Sequence, residues 1–327
     1  MADFVTLSPF SNQLLILLLV IGSKATISHF IRHEPLRFFQ FYCQKLSDKV
    51  NKPQNSSQQQ TIAGFIAILV TLLPITIILY LFEAFIEVKF LWQALLLYIA
   101  MGSFGLAQTN KVIAQALVAK QNYFAKQTLK PWVLRETDSL STLGLSKSSI
   151  EMQILRTLQQ GYSVVIIFLI AGPLAALTYR LLLEMHYCWN TKLVSNQYFG
   201  LYSKRLVGLL QWLPVRIFAL LILFTSIGKN FVLFFHLSKQ HFFQLNNNIA
   251  LLLLSLNLEI KLGGVALYHD KNQGKQKLRK ISFNELARQP EVTDIIHASN
   301  KIRGIIYLSL FFIIFVACTF ELVFANI

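Results

Sequence analysis

The hydrophobic positions fall into six long runs, Gln13–Gly22, Ile62–Phe82, Phe90–Ala107, Gly161–Leu183, Leu206–Ile227 and Gly304–Phe320, with polar stretches between them. A membrane-crossing helix needs roughly 17–25 predominantly apolar residues. Most of the runs reach or nearly reach that length, and the first does so by borrowing its flanks, from Pro9 to Ile27. Backbone N–H and C=O groups find no water in hydrocarbon, so helix is the form such runs can take; none shows the alternation of a transmembrane strand. A further run, Ile249–Gly264, begins apolar but holds Asn257, Glu259 and Lys261. Charge at bilayer depth is costly, so this segment is expected to be re-entrant or to pack on the bundle without crossing. Within Ile27–Leu46, apolar residues recur after Pro35 at three- and four-residue steps, with Arg37 and Lys45 among them. That is the pattern of a helix lying in the interface, aromatics inward. The predicted fold class is therefore all-α: a polytopic transmembrane helical bundle of about six spans, one re-entrant or interfacial segment and cytoplasmic helices.

Loop charge orients the bundle. Lys24–Lys52 is basic, the short link Glu83–Lys89 is acidic, and residues 108–160 are basic again through Lys111, Lys120, Lys126, Lys130, Arg135, Lys147 and Arg156. The positive-inside rule places the basic stretches in the cytoplasm and the N-terminus outside. The cytoplasmic loops are then about 24–61, 108–160 and 265–303 of one membrane domain, 1–327. Composition agrees: 54% of residues are hydrophobic and only 14% charged, against about 25% charged in soluble domains. The net charge of +15 would suggest nucleic acid in a soluble protein. Here it sits in loops beside apolar runs and carries no nucleic-acid-binding motif, so lipid headgroups are the expected partner and nucleic acid is not. No basic region precedes the first run, so no cleaved signal peptide is expected.

Candidate chemistry is sparse. Cys43, Cys188 and Cys318 fit neither a zinc site nor a disulfide framework. His186 and Cys188 have no further ligand at metal spacing, and no phosphate-cradling GxxxxGK[ST] run occurs. Polar residues do interrupt the pattern at Trp132–Leu140, Tyr179–Arg180, Trp212–Arg216 and Leu262–Gly264. Each has a plain structural explanation. The first could cap a helix through Thr137 or Asp138; the arginines could flank spans from inside; the glycines could stop a helix. No repeat and no charge in mid-span argues for a transporter.

In order, however, these stretches resemble the CobD/CbiB family of cobalamin biosynthesis membrane proteins, to which AmpE proteins are also similar. His33-Glu34-Pro35-Leu36 resembles the family's His-Pro motif with a Glu inserted. Arg135-Glu136-Thr137 with Leu140 resembles an Arg-Asp-Thr motif, and Ala171-Gly172-Pro173 through Tyr179-Arg180 resembles a Gly/Pro-to-Tyr-Arg run. Gln211-Trp212-Leu213-Pro214-Val215-Arg216 is similar to a Trp-x-Pro-x-Arg motif, and Leu262-Gly263-Gly264 with Tyr268 to a Leu-Gly-Gly motif. Pro290-Glu291, Asp294-Ile295 and Ala298 resemble the closing pattern. The acidic motifs are eroded. Leu155–Gln160 keeps only the Thr of one, Leu183-Glu184-Met185-His186 replaces a second, and Lys204-Arg205-Leu206-Val207-Gly208 lacks both carboxylates of a third.

The resemblance implies a bacterial inner-membrane protein that joins an aminopropanol-type amine to adenosylcobyric acid, giving adenosylcobinamide. Its implied site residues are His33, Arg135, Thr137, Tyr179, Arg180, Trp212, Arg216, Gly263 and Gly264, with Arg135, Arg180 and Arg216 facing a corrinoid substrate or ATP. ATP and magnesium are implied only if the family activity is retained; no cofactor is otherwise expected. The eroded acidic motifs argue for weakened or lost amide-forming chemistry. The alternative is an AmpE-like signalling or accessory protein acting through other membrane proteins.

Overall fold

The computed structural model describes residues 8–27, 36–102, 104–226, 247–270 and 274–324, with Val232 and Phe235. In chain order its elements are α1 (Pro9–Ile27), α2 (Arg37–Val50), α3 (Ser57–Glu83), α4 (Lys89–Ala100), α5 (Leu106–Val118), α6 (Asn122–Leu129), α7 (Thr142–Arg156) and α8 (Ser163–Cys188). There follow α9 (Leu201–Leu210), α10 (Trp212–Phe224), α11 (Asn248–Asn257), the antiparallel hairpin β1 (Leu262–Asp270) and β2 (Gly274–Phe283), and α12 (Val292–Phe324).

Four helices among the described residues are long and apolar enough to cross a membrane: α1, α3, the continuous α7–α8 rod, and α12. A fifth candidate is α9 with α10, bent by 52°. Their outward residues include Val70, Ile78 and Phe311, each more than 60% exposed; lipid, not water, is the solvent in which such faces are stable. The chain is a membrane protein of predominantly helical build.

Several expectations need amendment. Phe90–Ala107 is two helices: α4 is only 12 residues long and ends at Met101, where the backbone turns extended. The Gly161–Leu183 run belongs to a longer rod that continues to Cys188, so Tyr179-Arg180 does not end the helix. Gly172 breaks that rod at φ 83°, ψ −179°, a region open essentially to glycine alone, and Pro173 after it offers no N–H. Thr137 and Asp138 do not start α7; Ser141 does, its side chain accepting from the Gly144 N–H. Leu262-Gly263-Gly264 does not stop a helix but opens β1, with a register shift between Gly263 and Val265. The stretch Asp270–Lys280, expected as a loop, contributes most of β2.

Other expectations agree with the fold. Ile249–Gly264 does not span: α11 is a ten-residue helix with Ile249, Ala250 and Leu254 fully buried, and the chain then enters β1. α2 forms where the three- and four-residue spacing placed it. It buries Cys43 and Ser47 but turns Phe38 and Phe41 outward, so the aromatics are not all inward. His33 and its neighbours Glu34 and Pro35 lie outside the described residues.

Two apolar clusters hold the bundle. One joins α1, α3, α4 and both halves of α8; the other joins α5, α7, α10, α11 and α12. Between α7 and α8 the rod is π-helical over Thr157–Tyr162. A π turn disturbs the i→i−4 ladder, so its carbonyls need other partners, and such turns are frequent at functional sites. Here the Tyr179 hydroxyl donates to the Gln159 carbonyl at 2.8 Å, and the Gly102 N–H donates to the Gln160 carbonyl at 2.9 Å. Gly102 is required at that approach because a Cβ would stand 2.5 Å from the Gln160 side chain.

Candidate functional site

A cavity of about 2040 Å³ opens beside this π turn. Its walls come from α2, from the α4–α5 link, from the segment before α7, from the α7–α8 rod and from Tyr268 and His269 of β1. Chain segments distant in sequence meet here around two buried ion pairs.

The first pair ties the hairpin to α7. Glu151, 6% exposed on α7, accepts the Gly263 N–H at 2.8 Å and stands 3.8 Å from Arg135. Arg135 Nη2 also donates to the Gly144 carbonyl at 2.8 Å. The same segment pairs with β1: Arg135 bridges Tyr268, and the Glu136 N–H donates to the Leu267 carbonyl. Gly263 lies at φ +77°, and a Cβ there would meet the Ile281 carbonyl oxygen at 2.1 Å. This position therefore demands glycine on two counts.

The second pair lies within α8. Arg180 Nη2 and Glu184 Oε1 are 2.7 Å apart, with side chains 2% and 0% exposed. Gln40 of α2 donates to the other Glu184 oxygen at 2.7 Å. Gln160, its amide oxygen oriented toward the guanidinium groups, accepts from Arg180 Nη1 at 3.1 Å and from Arg156 Nη1 at 3.0 Å. Arg156 donates through Nε to the Trp132 carbonyl and lies between the rings of Trp132 and Tyr187, 5.2 and 5.4 Å from their centroids. Tyr187 in turn donates to Gln159 Oε1 at 2.7 Å.

Of the residues expected from sequence, Arg135 and Arg180 line the cavity. Tyr179 lies behind its wall, fully buried, and receives a hydrogen bond from Gln211 at 2.7 Å, which links it to the Trp212 segment. Arg216 and Trp212 are not brought to the cavity: the Arg216 guanidinium packs on the Trp212 ring at 4.7 Å and donates to its carbonyl on α10. Gly263 supports the site through Glu151, Gly264 continues the bulge at φ +101°, and Thr137 is buried without lining the cavity. Glu151, Glu184, Gln40, Gln160 and Arg156 were not singled out. The one local signal was the i,i+4 spacing of Arg180 and Glu184, a pairing interval on a helix.

The family described as "CobD/Cbib protein" matches residues 15–302. The chain belongs to the CobD/CbiB family. Two proteins named "Cobalamin biosynthesis protein CobD" are similar to it. That of Chromobacterium violaceum is 27% identical over 157 residues, covering 48% of this chain and 50% of the relative. That of Stutzerimonas stutzeri is 22% identical over 235 residues, covering 72% and 78%. The chain thus spans about half the length of the first relative and most of the second. No solved structure matches. Membership of the CobD/CbiB family and the two relatives support a function in cobalamin biosynthesis.

Proposed function

We propose that this CobD/CbiB-family protein binds a corrinoid in the cavity and joins an aminopropanol-type amine to the carboxyl of adenosylcobyric acid. The observation that carries the reading is the convergence on one large basic cavity of segments that resemble the family's motifs: Arg135 before α7, Arg180 on α8 and Tyr268 on β1. Small-ligand pockets are commonly about 300–1,000 Å³, so about 2040 Å³ suits a macrocyclic substrate with a second reactant. Arg135 and Arg180, each held by a buried carboxylate, would orient neutral amide groups of the substrate, and the apolar part of the wall would exclude water.

The implied magnesium fits poorly. Among the described residues no group of three or more His, Cys, Asp or Glu side chains could hold a metal ion. Both buried carboxylates at the cavity are engaged by arginines, so no step is derived through magnesium or ATP. That engagement also favours the second reading, an accessory protein that binds without turnover. We further place the chain in a bacterial inner membrane, with the cavity on the cytoplasmic side and the N-terminus outside. Support comes from the cavity lining, drawn largely from the basic segments that the positive-inside rule assigns to the cytoplasm.

Complementation tests the reading. A strain lacking its own family enzyme, supplied with cobyric acid as sole corrinoid precursor, should grow when this chain is expressed. A well-expressed chain that binds cobyric acid but does not restore growth leaves the accessory reading standing and removes the enzyme.

A further inference from the structure

Seven lysine or arginine side chains line the cavity against two carboxylates, Asp48 and Glu151. The cations are not equivalent. Arg135 has Glu151 and Arg180 has Glu184, and each pair is so buried that its charge is largely spent on its partner. Arg156 differs. Among the described residues, no carboxylate stands within ion-pair distance of it. Its neighbours are two neutral carbonyl-type oxygens, on Trp132 and Gln160, and two aromatic faces. The rings fix the guanidinium plane, and the two oxygens engage Nε and Nη1. Arg180 shares the Gln160 oxygen, so a second cation stands close by. A half-buried, positioned and uncompensated guanidinium beside another cation is relieved most by an anion. His186, also on the cavity wall, has a buried Nδ1 with no hydrogen-bond partner.

We propose that Arg156, clamped between Trp132 and Tyr187, is the oxyanion-binding residue of the cavity. It takes a phosphate or carboxylate group of the ligand. This goes beyond the amide-forming reading and does not depend on it: an accessory protein that only binds would use the same group. It also moves the anion contact expected at Arg135, Arg180 and Arg216 to a residue whose charge is not already matched.

The test is calorimetric titration of the full chain in nanodiscs of zwitterionic lipid, with methyl phosphate and acetate as separate probes. At least one should bind saturably, and the tighter arm identifies the group recognised. Arg156→Gln should weaken that binding about ten-fold or more, the scale of a lost charge-assisted hydrogen bond. Arg156→Lys keeps the charge but not the planar fork, and should fall between the two. Lys204→Gln, an exposed cation off the cavity, should bind as the parent does. Saturation by neither probe, or parental affinity in both Arg156 variants, overturns the proposal. Thermal unfolding of each variant separates loss of binding from loss of fold, and Arg156→Lys serves if the glutamine variant does not fold. Intact oxyanion binding with failed complementation would sink the amide-forming reading alone.

Discussion

The Arg180–Glu184 pair offers the sharpest test of how the site is held. Both side chains are almost fully buried, they meet at 2.7 Å, Gln40 donates to Glu184 Oε2, and Gln160 accepts from Arg180 Nη1. Removing one partner leaves the other as an uncompensated buried charge, which costs about 3–5 kcal/mol. Replacing both by apolar groups of similar size removes the desolvation penalty along with the attraction, and is often neutral or stabilising. Glu184→Leu and Arg180→Met should therefore each destabilise strongly, whereas the double variant should recover most of the loss. At roughly 2 °C per kcal/mol for a large chain, each single variant should unfold about 6–10 °C below the parent in detergent or nanodiscs, followed by tryptophan fluorescence. The double variant should lie within about 2–3 °C of the parent, its remaining deficit coming from the stranded Gln40 and Gln160 amides. Additive losses in the double variant would refute the reasoning, because they would mean that the two groups act separately. Single losses near zero would refute it too, since water or lipid headgroups would then reach the pair.

Other outcomes follow from the supports of the cavity. Gly263→Ala should cost more than about 1–3 kcal/mol, because strain at φ +77° adds to a clash with the Ile281 carbonyl; Gly22→Ala, with nothing within 4 Å, is the matched control in the same thermal assay. Ser141→Ala should cost about 1 kcal/mol through loss of the α7 cap, while Asp138→Ala, on an exposed pair with Lys130, should change stability by less than about 0.5 kcal/mol. Equal effects of the two would return the helix start to Asp138.

Much of the fold was legible because the bilayer imposes a one-dimensional rule. A run of apolar residues must satisfy its own backbone, so Pro9–Ile27, Ser57–Glu83 and most of α12 follow from local sequence. The polar interruption in Ile249–Gly264 likewise told against a span, and α11 is short and buried. Local pattern failed where a distant partner decides. The Phe90–Ala107 run is long enough to cross, but Gly102 leaves the helix to approach Gln160 of the π turn. The hairpin strands read as loop because β1 and β2 gain their order from each other and from Glu151 and Glu136.

The site divides in the same way. The sequence by itself determined which segments matter: glycines at 263 and 264, the Tyr179-Arg180 pair and the Arg135 segment carry conformational or charge demands visible at their own positions. Only the tertiary structure decided which charges are spent and which are open. Glu184 stood in an eroded motif and Glu151 in none of the motif stretches, yet they neutralise Arg180 one helical turn away and Arg135 across the fold. Arg156 looked like one more loop cation and is the arginine at the cavity held by aromatic rings. Charge is a property of a residue, but its availability to a ligand is a property of its neighbours, and those are set by packing.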